Sequence, residues 1–180
     1  MSNTEKRPLA QVEQIALSLC EKLAPACERI ELAGSIRRRQ PMVGDIEIIA
    51  APRLLYDLLG EPMNVSEVDT LLALWPIALV KNGQKYKKFL FTGSAGNEYQ
   101  VDLFLQPDPA TWGINYMIRT GSADFSRRMV TPRRHGGMMP DHLRVKDARV
   151  WNGDEPLATP EETDVFELWG MTFVDPEKRS

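Results

Sequence analysis

The stretch GDIEIIA, residues 44–50, constrains what this chain can fold into more than any other. Apolar Ile46, Ile48 and Ala50 alternate with the acids Asp45 and Glu47. A period of two marks a strand whose side chains point to opposite faces. One face then belongs to a core, and the other carries two carboxylates side by side. Like charges that close repel, and each raises the other's pKa. Either the acidic face is bathed in water, the commonest fate of charged residues, or a cation offsets the repulsion. Oxygen ligands of this kind suit magnesium or manganese. A third acid repeats the setting. In VDLFL, residues 101–105, Val101, Leu103 and Leu105 share one face and Asp102 takes the other. If the two strands are neighbours, three carboxylates converge on one sheet surface, a setting suited to two metal ions and phosphoryl-type transfer.

The segments around these strands predict an α+β or mixed α/β chain. Val12, Ile15, Ala16, Leu19 and Leu23 fall on one helical face over 8–24, with Pro8 in the first turn. Residues 28–34 alternate as a strand that ends in a Gly34–Ser35 turn, and 66–75 predict a helix. Residues 85–93 and 97–106 predict a strand pair around a Gly-Ser-rich turn. Pro107 and Pro109 then break the pattern, which places a boundary between 1–107 and 108–180. Beyond it, 111–121 and 122–134 predict two short helices around Gly121, and 144–153 a strand or hairpin. Residues 159–170 predict a helix with Thr159 at the cap, Pro160 at the first position and Gly170 past the end.

A length of 180 residues suffices for one domain or two small ones with a real interior. The net charge of -3 does not announce a nucleic-acid binder, but local patches matter more than the sum. From 119 to 149 the chain carries Arg119, Arg127, Arg128, Arg133, Arg134, Arg144, Lys146 and Arg149 against only Asp124, Asp141 and Asp147. Lys85, Lys87 and Lys88 form a second cluster, in which Lys85 and Lys87 share a strand face. Cys20 and Cys27 show neither zinc spacing nor a disulfide framework, which predicts a reducing, cytoplasmic setting. His135 and His142 fit no zinc motif. The polar N-terminus lacks a signal-peptide core, and the longest apolar run, 71–80, is too short for a membrane span and is interrupted by Pro76.

Gly34 and Ser35 follow a strand, where backbone amides and a hydroxyl can cradle phosphate oxygens. Arg37, Arg38 and Arg39 come next, and an arginine fork binds phosphate well. Each feature alone is common. A phosphate cradle, an arginine, G-D-x-E on the next strand and a later isolated strand Asp are together specific.

That combination resembles the DNA polymerase beta-like nucleotidyltransferases, whose signature is G-S-x-R-R followed by G-D-x-[DE]. WGINYMIRTGSADFSRRM, residues 112–129, resembles the family X segment at the palm–thumb junction, with its T-G-S motif and following helix. GDEPL (153–157) and TPEETDVFELWGMTFVDPEKRS (159–180) resemble the end of that thumb. The resemblance implies an α+β fold: a nucleotidyltransferase palm over 1–107, a mixed sheet with helices, then a small thumb-like subdomain over 108–180. It implies that Asp45, Glu47 and Asp102 hold two Mg²⁺ ions, with Mn²⁺ as a substitute, and that Asp102 lies nearest the primer 3′-hydroxyl. Ser35 and Arg38 would contact the β- and γ-phosphates, with Gly34 in the cradle and Gly44 allowing close approach. Thr120 and Gly121 would border the sugar and base of the incoming dNTP. Lys85, Lys87, Arg119, Arg127, Arg128, Arg133 and Arg134 would contact DNA phosphates.

The implied activity is templated addition of dNMP to a primer 3′-hydroxyl at a short gap, in DNA repair, by a monomer acting on primer-template or gapped duplex. Because one helix precedes the palm, the resemblance is to a minimal palm-plus-thumb form, like the smallest viral members. Three departures stand out. Glu47 occupies a metal position where replicating members usually carry Asp. Ile118 and Arg119 precede Thr120 where polymerase beta has an aromatic pair. Ala123 and Ser126 replace polar residues near the base. Two other functions fit the same palm: a template-independent or ribonucleotide-using transferase, and a non-catalytic nucleotide-binding module.

Overall fold

The computed structural model describes residues 5–94 and 96–179. Residues 1–4, Ala95 and Ser180 belong to the polar N-terminus, the turn of the strand pair and the chain end read above, and lie outside the described residues. The chain divides into two compact units, one ending at Pro107 and the other starting at Asp108.

In chain order the first unit holds β1 (Arg7–Pro8), α1 (Leu9–Leu23), β2 (Cys27–Leu32), α2 (Gly34–Arg37), β3 (Met42–Val43), β4 (Ile46–Pro52), β5 (Leu54–Tyr56), β6 (Pro62–Ser66), α3 (Glu67–Ala73), β7 (Ala78–Asn82), β8 (Tyr86–Thr92) and β9 (Glu98–Leu105). Five strands form one mixed sheet in the order β2-β4-β9-β8-β7. Only the β4–β9 pair is parallel, and its register sets Ile46 opposite Val101, Glu47 opposite Asp102 and Ile48 opposite Leu103. On one face Ile46, Ile48, Ala50, Val101 and Leu103 pack with Val12, Ala16, Leu19 and Leu23 of α1 and Val68 and Leu72 of α3. Full burial of each such valine, leucine or isoleucine side chain stabilises by about 1.5–3 kcal/mol. Since side chains alternate across a strand, Glu47 and Asp102 are turned to the other face.

The apolar spacing of α1 and its N-terminal Pro8 act as expected. The strand GDIEIIA starts later than its alternation suggests, because Gly44 and Asp45 form a bend and pairing begins at Ile46. Gly34 and Ser35 open a one-turn helix instead of a simple turn, with the Arg38 amide donating to the Gly34 carbonyl at 3.1 Å. Ser66 and Asp69 cap α3 reciprocally: the Ser66 amide donates to Asp69 Oδ2 at 2.8 Å, and the Asp69 amide to Ser66 Oγ at 3.4 Å. The β5–β6 hairpin and the edge strand β7 carry no clean alternation, and all five residues of β7 are exposed. Cys20 and Cys27 are free, and burial pushes their thiols up to about 12 and about 11.

The second unit holds α4 (Trp112–Thr120), α5 (Ala123–Met129), β10 (Leu143–Lys146), β11 (Arg149–Asn152), β12 (Glu155–Leu157) and α6 (Glu162–Leu168). Its three strands are antiparallel in sequence order. Ile114, Met117, Phe125, Met129, Val150, Phe166 and Trp169 form its core. Gly113 sits where a side chain cannot: a Cβ there would lie 2.0 Å from the Glu161 carbonyl oxygen. Its amide donates to the Thr159 carbonyl at 2.7 Å. Thr159 is therefore a buried tether and not the cap of α6. That cap is Glu161, paired with Asp164. Glu162 and Arg179 form a buried ion pair, with the guanidinium also over the rings of Phe125, Phe166 and Phe173.

Candidate active site

The acids lie on the sheet face away from α1 and α3. The parallel register puts Glu47 and Asp102 on neighbouring strands, and Asp45 enters from the bend before β4. The carboxyl groups of Asp45 and Asp102 come within hydrogen-bonding reach of each other. Burial pushes the Asp45 carboxyl above the usual range, the Asp102 charge pushes it further, and Lys88 partly opposes both.

Glu47 behaves differently. A Cβ on Gly34 would lie 1.7 Å from Glu47 Oε2 and 2.6 Å from its Cδ, so the Glu47 carboxylate packs against the Gly34 backbone. Gly34 adopts φ of 58°, a region that also favours glycine. The expected convergence of three acids is thus corrected to a pair. Asp45 and Asp102 meet, whereas the longer Glu47 reaches toward α2. Among the described residues no three His, Cys, Asp or Glu side chains form a group able to hold a metal ion.

Two groups in and just after α2 fit an anion. The Ser35 hydroxyl is buried and has no hydrogen-bond partner, an expensive state for a polar atom. Burial brings the Arg38 guanidinium below its ordinary pKa, although the charges of Glu47 and Asp45 favour the charged form. Gly44 is not crowded, since a Cβ there would meet only Lys6 Cγ, at 3.8 Å.

Three residues absent from the expected site surround Asp102. The Tyr86 hydroxyl donates to Asp102 Oδ1, Gln100 Nε2 donates to Oδ2 at 2.9 Å, and Lys88 Nζ lies 4.0 Å from Oδ1. Lys88 is directly opposite Asp102 in the β8–β9 ladder. The sequence signal for Lys88 was its period-two offset from Lys87, which places the two on opposite faces.

Lys87 itself is a correction. It is 1% exposed on the core side of β8, and its ammonium donates to Asp69, Asn82 and the Gly83 carbonyl. A DNA phosphate has no access to it. Lys85 is exposed.

In the second unit Thr120 is fully buried at the end of α4, and Gly121 follows with its amide on the Met117 carbonyl at 3.1 Å. A Cβ on Gly121 would lie 2.6 Å from Phe125 Cδ1 and from Ser126 Oγ, so the T-G-S turn requires glycine. Ser122 then caps α5. Arg119 is half-buried, and Arg127 and Arg128 are exposed on α5, with Arg127 paired to Asp124. Arg133 donates to the Met138 carbonyl of its own loop and to the Trp169 carbonyl at the end of α6, and Arg134 to the Asp141 carbonyl of its own loop.

By shape this chain is similar to a polymerase beta. The crystal structure of Leishmania infantum polymerase beta, a ternary P/T complex, matches with a TM-score of 0.76 at 20% sequence identity, over 98% of this chain and 77% of that one. No protein-family model and no curated protein sequence matches the chain. The expected α+β class holds: a five-stranded mixed sheet with helices, followed by a smaller unit, the fold also seen in that polymerase beta structure. No helix among the described residues is long and apolar enough to cross a membrane.

Proposed function

We propose that the protein is a nucleotidyltransferase that adds a deoxynucleotide to a primer 3′-hydroxyl, filling short gaps during DNA repair. The observation that carries this reading is the Asp45–Asp102 pair on the acid-bearing sheet face, with the Arg38 guanidinium within reach of the Asp45 and Glu47 charges. Two hard oxygen donors in mutual repulsion fit a divalent cation, Mg²⁺ or Mn²⁺. Asp45 and Asp102 would hold it, and Glu47 would complete the set by turning from Gly34. Divalent ions, when bound, supply charge neutralisation of the triphosphate and a lower pKa for the attacking hydroxyl. The chain's own groups do the rest. Asp102 orients the 3′-hydroxyl and accepts its proton. Ser35 donates to a β- or γ-phosphate oxygen, which satisfies its buried hydroxyl. Arg38 forks onto the same phosphates and neutralises their charge. Exposed cations such as Lys85 and Arg128 contact DNA phosphates.

The test is primer extension on a one-nucleotide-gapped duplex, each dNTP alone, in Mg²⁺ and then Mn²⁺. Addition of only the complementary nucleotide is expected. Asp102→Ala is expected to abolish addition while near- and far-ultraviolet circular dichroism stay unchanged. Indiscriminate addition, or equal use of ribonucleotides, would instead support the broader transferase reading that Ile118 and Arg119 suggest. One observation favours a non-catalytic nucleotide-binding module: Glu47 packs against Gly34 and not with the aspartates. Nucleotide binding without addition under either metal would decide for it.

A further inference from the structure

Asp102 is held at both oxygens by neutral donors that the proposed chemistry does not use. Tyr86 donates to Oδ1 and Gln100 to Oδ2 at 2.9 Å. Strand register explains both contacts. Gln100 lies two residues before Asp102 on the same face of β9. Tyr86 lies opposite Phe104 and therefore diagonal to Asp102 across the β8–β9 ladder. The phenol is itself fixed. Its ring stacks on Phe104 with centroids 5.2 Å apart and planes at 21°, and the Lys81 ammonium sits 5.0 Å from its centroid. Lys88 Nζ waits 4.0 Å from Oδ1. An unpinned aspartate would swing onto that ammonium and form a closer ion pair, in competition with any cation.

We propose that Tyr86 and Gln100 are positioning residues that hold the Asp102 carboxylate off Lys88 and preset it for a divalent cation. This inference rests on the metal-dependent reading above. Partners of this kind, one shell out from a metal ligand, change affinity or activity by roughly 10- to 100-fold when removed.

The experiment titrates Mn²⁺ alone into the purified full chain, without nucleotide or DNA, and follows the electron paramagnetic resonance signal of the free ion. Tyr86→Phe keeps the ring, its stacking on Phe104 and the Lys81 contact, and lacks only the hydroxyl. Gln100→Leu removes the second donor. Each variant is expected to raise the Mn²⁺ Kd roughly ten-fold with an unchanged unfolding midpoint, whereas Tyr56→Phe, at an exposed tyrosine, changes neither. Mn²⁺ bound equally by wild type, Tyr86→Phe and Gln100→Leu would overturn the proposal while leaving the metal site standing. A weakening that only tracks a lowered unfolding midpoint in both variants would overturn it too. Wild type that binds no Mn²⁺, or Asp102→Ala that binds as tightly as wild type, would overturn the metal-dependent reading and this proposal with it.

Discussion

At the scale of single residues, Gly34 and Asp45 carry the sharpest consequences. Alanine at 34 meets a positive φ and a Glu47 carboxylate oxygen 1.7 Å away. Gly34→Ala should destabilise by about 2 kcal/mol or more, measured by urea unfolding, because the strained backbone alone costs about 1–3 kcal/mol and the Glu47 carboxylate must also move. Asp45 gives a pH signature. Its folded pKa is raised, so the proton it holds favours the folded state most at pH below the ordinary aspartate value. That contribution is lost as pH rises through the raised value, where ionisation beside Asp102 is unfavourable. Asp45→Asn, which cannot ionise, should gain stability relative to wild type as pH rises through that window. Unfolding midpoints measured across the window check the trend, and a gap that stays constant or shrinks would refute it. The types and positions of Asp45 and Asp102 were legible because each follows an apolar alternation. The turning of Glu47 toward Gly34 was not, since it depends on the path of β2 into α2.

At the scale of elements, Lys87 and Asp69 join β8 to α3. Burial pushes Asp69 up, but the hydrogen bonds from Lys87 and Ser66 outweigh it and leave the carboxyl below its ordinary value. Its contribution is therefore present above the ordinary aspartate pKa and is lost as pH falls through the lowered value. Asp69→Ala strips both the α3 cap and the counter-ion of a nearly inaccessible ammonium. Breaking a buried pair this way costs about 3 kcal/mol or more, and chemical denaturation at neutral pH should show it. A loss under about 1 kcal/mol would mean that Asn82 and Gly83 suffice for Lys87. A lysine in a short strand reads as surface in any sequence. Burial of this one required an acid 18 positions earlier, on a helix whose docking no local pattern encodes.

Across the whole chain, charge is unevenly used. The basic stretch from Arg119 to Arg149 is conspicuous in a protein of net charge -3, yet its arginines divide by their partners. Arg128 is exposed on α5, whereas Arg133 holds the Trp169 and Met138 carbonyls and Arg149 pairs with Asp108. If the chain binds duplex DNA as proposed, Arg128→Ala should weaken binding uniformly across sequences and lower the slope of log affinity against log salt by about 1. Arg133→Ala should instead lower the unfolding midpoint and leave that slope unchanged. Fluorescence anisotropy across a salt series, paired with thermal unfolding, separates the two.

The linear chain alone determined a mixture of helices and strands, the strands that carry Glu47 and Asp102 and the helix at 9–23. These are local properties, because period-two and period-3.6 patterns and turn residues act over a few positions. Only the tertiary structure decided that Asp45 and Asp102 meet while Glu47 does not join them, that Tyr86 and Gln100 hold Asp102, that Lys88 stands on the acidic face while Lys87 is buried on the other, and that Thr159 tethers α4 instead of capping α6. Each of those outcomes depends on strand register or on contacts between segments far apart in sequence. A one-residue change of register exchanges the two faces of a strand, so no reading of neighbours along the chain could have set them.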